Sequence, residues 1–157
     1  VRALIDAMKF PPAGRRSYGV NRAHGYGFDF EAYVSQWNES STLILQVESI
    51  AGVQNIDALL AFDEVDGVMV GPYDISGSLG LPGQINHPKV REAAQIVVEA
   101  CRSRGKSCCT QVAHVTPEAI DDVFAQGYSF VILGSDLFVL WKWAEQTRII
   151  VDHFRKS

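Results

Sequence analysis

The sequence predicts an α/β fold built on a parallel sheet. Three observations carry the prediction. Short, nearly continuous apolar runs recur four times. Each is followed by a longer stretch whose apolar residues repeat every three to four positions. Gly, Pro, Asn and Thr punctuate the joints. Strands that are apolar throughout are covered on both faces, and a helical stretch between successive strands is the crossover that parallel pairing requires.

Taken in order, residues 1–9 read as a helix that stops at Phe10-Pro11-Pro12-Ala13-Gly14, where two prolines and a glycine force a loop. Residues 15–27 have no period and read as a long loop. Phe30, Tyr33, Val34 and Trp37 lie at helical spacing, predicting a helix over 30–39. Residues 42–47 form the first strand of the repeat, with a helix over 53–62. The second strand is 67–70, followed by a helix over 90–103 with Asn86 as N-cap and Gly105 as its stop. The third strand is 106–113, with a helix over 117–125 capped by Thr116 and opened by Pro117. The fourth is 128–133, and a final helix runs over 137–154. Four βα units fit either an open doubly wound sheet or half of a (β/α)8 barrel, and periodicity alone leaves both open. The 157 residues read as a single domain.

Composition excludes several function classes. Hydrophobic residues make up 47% of the chain, so it can bury a core. The net charge of −4 gives no basic field for nucleic acid or an anionic membrane. No apolar run reaches the ~20 residues of a membrane span. Three cysteines (Cys101, Cys108 and Cys109) and no secretory leader pattern point to reduced thiols in the cytoplasm. Cys108 and Cys109 sit side by side on a strand and read as small buried hydrophobes facing opposite ways. The start, Val1-Arg2-Ala3-Leu4-Ile5-Asp6, reads like the middle of an amphipathic helix, so a longer polypeptide is expected.

In either architecture chemistry gathers at the C-terminal ends of the strands. Those ends carry Gln46-Val47-Glu48-Ser49, Gly71-Pro72-Tyr73-Asp74, His114, and Gly134-Ser135-Asp136. Glu48 and Asp74 fall on neighbouring ends. Converging carboxylates repel unless a cation or proton lies between them, and hard divalent cations such as Mg2+ or Mn2+ prefer oxygen ligands. The competing reading makes Asp74 a helix cap and Glu48 a solvated carboxylate. Gly71 permits a sharp turn, after which the N–H groups of Tyr73 and Asp74 open a helical turn suited to a carboxylate. A metal beside an anion-binding turn suits a chelating 2-keto acid.

The run from Gln46 to Ser49, the run from Val65 to Ser76, Leu79-Gly80, Asn86-His87-Pro88-Lys89-Val90, the upstream Phe10–Gly19 and Arg22-Ala23, and the last strand through Asp136 together resemble the HpcH/HpaI aldolase family of the phosphoenolpyruvate/pyruvate barrel superfamily. The resemblance spans nearly the whole chain. It implies a (β/α)8 TIM barrel of which this chain supplies about the last four βα units. It implies a divalent-metal-dependent class II aldolase, acting on a small 2-keto acid and an aldehyde. Glu48 and Asp74 match the metal ligands and Gln46 matches a residue lining the pyruvate site. Gly71 and Pro72 lead into Tyr73 and Asp74, whose N–H groups match the carboxylate cradle. Ser17 departs from the family's glycine. The arginine that contacts the keto oxygen and the histidine used in proton transfer have no counterpart here, so the catalytic residues are unknown. Arg15, Arg16 and Arg22 read as structural or solvated loop residues, and His114 and Gln111 as polar groups near the pocket. Phe138, Leu140, Trp141 and Trp143 load the last helix for core packing or, as the family implies, for contact within a homo-oligomer. The alternatives are a citrate-lyase-like acyl lyase and a non-catalytic half barrel serving binding or assembly.

Overall fold

The structure, a computed structural model, describes residues 1–155. Four parallel strands form one sheet in the order β1 (Ile44–Val47), β2 (Gly67–Val70), β3 (Ser107–Val112), β4 (Phe130–Leu133). Each strand pairs with the next in sequence and the order never reverses. That is the winding of a barrel; a doubly wound sheet has a switch point.

Ahead of the sheet lie α1 (Arg2–Met8) and α2 (Phe30–Ser40). The crossovers are α3 (Ile50–Gln54) with α4 (Ile56–Leu60), then α5 (Pro72–Ser78) with α6 (Pro88–Ser103), then α7 (Pro117–Ala125). The chain continues into α8 (Asp136–Arg155). Among the described residues no helix is long and apolar enough to cross a membrane.

The core lies between one sheet face and the crossover helices. Leu45, Val47, Val68, Val70 and Cys108 pack against Val53, Ile56, Leu60, Val90, Val97 and Cys101. Alternation puts Gln46, Met69, Cys109 and Phe130 side by side on the other face, with Gln111 and Ile132 two residues further on. Cys108 and Cys109 are both buried, one on each face as expected. The Cys108 thiol donates to Cys101, which holds Cys101 below and Cys108 above the usual thiol range. Burial pushes Cys109 up to about 11.

Several elements differ from the sequence reading. The single helix expected over 53–62 is two short helices. The Asn55 side chain donates to the Ala51 carbonyl at 2.8 Å and its backbone leaves the helical region there. The pair also starts earlier, because Ser49 accepts from the Gly52 N–H at 3.2 Å and caps α3. Asn86 is not the cap of α6. Pro88 forces the residue before it into extended backbone, so His87 takes the cap position and its Nδ1 accepts from the Lys89 N–H. Gly105, with φ of 64°, ends α6 as expected. The Lys106 and Gly105 N–H groups donate to the Cys101 and Arg102 carbonyls in a Schellman closure.

The 15–27 loop contains a 3-10 segment, Arg22–Gly27, capped by Asn21. His24 is buried inside it, its Nδ1 accepting from Gly27 N–H at 3.1 Å and its Nε2 facing the Gly19 carbonyl at 3.1 Å. Arg16 lies over Phe10, Tyr33 and Trp37, with its carbon 4.1 Å from the Trp37 ring centroid, and donates to the Tyr33 hydroxyl. Arg15 pairs with Asp6. These two arginines are structural.

Within the described residues α8 is not packed into this core: none of its residues is buried and Trp143 is 64% exposed.

Candidate functional site

The site forms where β1 and β2 end. Gln46 and Glu48 are two positions apart and so point to the same face. Gln46 Nε2 donates to Glu48 Oε2 at 2.9 Å, which fixes the carboxylate and leaves its other oxygen outward. Glu48 is exposed. The register that pairs Gln46 with Met69 brings Gly71 opposite Glu48, and the Gly71 N–H extends the ladder by donating to Val47 O at 2.9 Å. A methyl group on Gly71 would sit 3.1 Å from Glu48 Cβ and 3.6 Å from Gln46 Nε2. Glycine therefore lets Glu48 lie directly against the turn that carries Asp74.

The turn continues as α5, longer than the single turn expected. Pro72 opens it, and the first helical bond is Ile75 N–H to Gly71 O at 3.0 Å. The N–H groups of Tyr73 and Asp74 precede that bond. Beneath them Ile75 and Ser76 are completely buried. Ser76 Oγ donates to Tyr73 O and accepts from Gly83 N–H, tying the turn to the following loop. Ile75→Ala is expected to lower stability by about 2–5 kcal/mol, read as the urea midpoint of the full-length protein. It should also loosen the Tyr73–Asp74 turn, since the side chain anchors α5 from below.

A cavity of about 490 Å³ opens here, lined by Gln46, Gly71, Pro72, Tyr73 and Asp74 together. Five of the six expected site residues thus share one cavity, while Glu48 borders it through Gln46 and Gly71. Gln111 and His114 also line it. Gln111 donates to Gly134 O at 2.9 Å, bracing the β4–α8 turn, and the His114 ring lies 5.8 Å from Trp141. Met69, Arg91 and Phe138 line it too. The sequence reading missed all three. Met69 follows from alternation with Gly71, whereas Arg91 and Phe138 arrive from helices whose placement periodicity does not give.

The donor set fits a hard divalent cation. Glu48 and Asp74 are both exposed carboxylates, and oxygen is the donor such a cation takes. Among the described residues no cluster of three or more His, Cys, Asp or Glu side chains forms.

Comparison with known proteins agrees with this geometry. The family profile described as HpcH/HpaI aldolase/citrate lyase matches residues 1–142. A 2-keto-3-deoxy-L-rhamnonate aldolase of Salmonella paratyphi A is 35% identical over 152 residues, covering 96% of this chain and 55% of the relative. The enzyme of the same name from Salmonella typhimurium is 36% identical over 137 residues, covering 86% of this chain and 50% of the relative. The chain therefore spans about half the length of the curated relatives it matches. Among solved structures, an HpcH/HpaI aldolase/citrate lyase family protein from Burkholderia cenocepacia J2315 superposes with a TM-score of 0.83 at 28% identity, over 96% of this chain and 60% of that one. The HpcH/HpaI aldolase from Desulfitobacterium hafniense DCB-2 gives 0.82 at 25% identity, over 96% and 58%. Four sequentially wound βα units, the strand-end carboxylates and these matches together place the chain in the HpcH/HpaI aldolase/citrate lyase family, as part of its TIM-barrel domain.

Proposed function

We propose that this chain carries the metal- and pyruvate-binding part of a class II aldolase, which forms or cleaves 4-hydroxy-2-keto acids through a pyruvate enolate. The observation that carries the reading is Glu48 held against Gly71, at the start of the turn whose Tyr73 and Asp74 N–H groups open α5. Mg2+ or Mn2+ held by Glu48 and Asp74 would supply Lewis-acid polarisation of the keto group and offset the enolate charge. The Tyr73 and Asp74 N–H groups bind and orient the pyruvate carboxylate. Gln46 fixes the Glu48 carboxylate through its hydrogen bond. Met69 and Phe138 give the cavity apolar walls that restrict water. The arginine and histidine that the family places at the keto oxygen and in proton transfer are assigned to the rest of the protein.

Metal binding tests the reading directly. Mn2+ titrated into the full-length protein should bind at least about 100-fold more tightly than into Glu48→Gln, since a ligand is lost. Gln46→Ala should cost about 10-fold or more, because it frees the ligand it orients. Equal Mn2+ affinity in all three proteins excludes the site.

The partner we assign to α8 is a second copy of the chain. Leu137, Leu140, Trp143, Ile149, Ile150 and Phe154 are all exposed on it, more apolar surface than a monomer keeps in water. The full-length protein should run as a homo-oligomer in sedimentation, and Trp143→Glu with Ile150→Glu should lower its mass. An unchanged mass removes α8 from the interface. Three free cysteines fit a cytoplasmic enzyme.

A further inference from the structure

Gly71 leaves a space above the sheet that two neighbouring strand ends flank. On one side stands Glu48, whose Cβ is 3.1 Å from where a methyl group on Gly71 would sit. On the other stands Gln111. The register that pairs Met69 with Cys109 sets Gln111 opposite Gly71 when it runs on by two residues. The pair in between is tied by the Thr110 hydroxyl, which donates to Val70 O at 3.2 Å. Neighbouring strands lie about 4.8 Å apart, so Glu48 and Gln111 border one position over Gly71. Met69, two residues before Gly71 on the same face, is its floor. Met69, Gly71, Asp74 and Gln111 all line the strand-end cavity.

Gln111 makes one hydrogen bond among the described residues, from Nε2 to Gly134 O at 2.9 Å. A carbonyl accepts only from a donor, so this bond fixes which end of the carboxamide is the amide. Oε1 is left as an oriented acceptor to which no described residue donates. Pyruvate carries no O–H or N–H, and a plain aldehyde carries none either. An acceptor beside these two reactants is matched only by a hydroxyl on the aldehyde. With the cation at Glu48 and Asp74, the Gln111 side of Gly71 is the side left for that aldehyde.

We propose that Gln111 determines specificity for the aldehyde partner: its Oε1 accepts from a hydroxyl on the carbon next to the aldehyde group, which selects 2-hydroxyaldehydes. The proposal rests on the aldolase reading above. The bond to Gly134 O holds the carboxamide in place before substrate arrives, so little ordering is lost when the hydroxyl binds. An aldehyde without that hydroxyl takes Oε1 out of water and gives it no donor in return.

The test uses the full-length protein loaded with Mn2+. Solvent deuterium exchange into pyruvate without aldehyde is measured first, on the wild type. Then kcat/KM for condensation with pyruvate is compared for glycolaldehyde, propanal and methoxyacetaldehyde. Propanal puts a methyl group where glycolaldehyde has its hydroxyl. Methoxyacetaldehyde keeps the electron-withdrawing oxygen but has no O–H to donate. Glycolaldehyde should exceed both about 10-fold, the worth of one hydrogen bond. Gln111→Met and Gln111→Leu, neither offering an oxygen, should bring the ratio to methoxyacetaldehyde close to one. A residue that only braced the β4–α8 turn would, when replaced, slow all three aldehydes alike and leave the ratios standing. A wild-type ratio to methoxyacetaldehyde near one, or a ratio that both substitutions leave unchanged, overturns the proposal. The wild-type ratio can overturn it even if the variants fold poorly. Exchange with a flat ratio sinks this inference alone; absence of exchange sinks the aldolase reading and this inference with it.

Discussion

Asp74→Asn should abolish exchange of the pyruvate methyl protons with solvent in the Mn2+-loaded full-length protein, a loss on the order of 1,000-fold or more. Exchange needs no aldehyde, so it isolates enolate formation from everything at the acceptor end. The change is nearly isosteric. It removes one of the two carboxylates proposed to hold the cation while keeping the backbone N–H groups that would hold pyruvate's carboxylate. Binding of pyruvate's carboxylate should therefore suffer less than exchange. The fall should appear in the exchange rate at saturating pyruvate, and adding excess Mn2+ should restore part of it. His114→Ala should leave exchange near the wild-type rate, because the His114 ring, beyond the end of β3, lies against Trp141 and belongs to neither the carboxylate pair nor the Tyr73–Asp74 turn. Wild-type rates in Asp74→Asn would remove the carboxylate pair from the chemistry.

Glu48 and Asp74 were legible in the sequence for a physical reason. Both follow short apolar runs, and the end of a parallel strand is where side chains leave the sheet for the mouth. The strand positions followed from the same pattern: β2 has the expected bounds, β1 and β4 start two residues later, and β3 is one residue shorter at each end. Three features were not legible. The break at Asn55 depends on a side chain capturing a carbonyl of its own helix, which competes with helical periodicity only once the geometry exists. The cap at His87 follows from the restriction Pro88 places on its predecessor; the asparagine beside it offered the more familiar capping side chain. The apolar load on α8 looks the same in sequence whether it meets a core or a neighbour, since residue spacing records a buried face without recording what buries it. Gly71 shows the reverse case. Its freedom to turn was expected, but its φ is −103°, which any residue adopts. Its use is the missing side chain, which makes room for Glu48.

Two glycine-to-alanine changes should move stability in opposite directions, and the larger effect belongs to Gly14. The loop after α1 folds back over the end of that helix. Arg16 N–H donates to Lys9 O and Gly14 N–H to Phe10 O. The same helix end is tied to α2 by Trp37 Nε1 to Met8 O, by Phe10 N–H to Asn38 Oδ1, and by the buried Lys9 ammonium to Ser41. A methyl group on Gly14 would lie 2.9 Å from Ile5 O and closer still to Lys9 O. Both are backbone atoms, one in α1 and one at its C-cap, and cannot swing aside. The loop must lift, giving up its bond to Lys9 O and straining the joint between α1 and α2. Gly14→Ala should therefore cost about 3 kcal/mol, measured by urea unfolding of the full-length protein. Gly77, inside α5, has nothing within 4 Å of where a methyl would go, and its φ is not positive. There alanine restricts the unfolded chain without a clash, so Gly77→Ala should stabilise by about 0.5–1 kcal/mol. Equal effects from the two substitutions would mean that the loop does not press on the end of α1 as described.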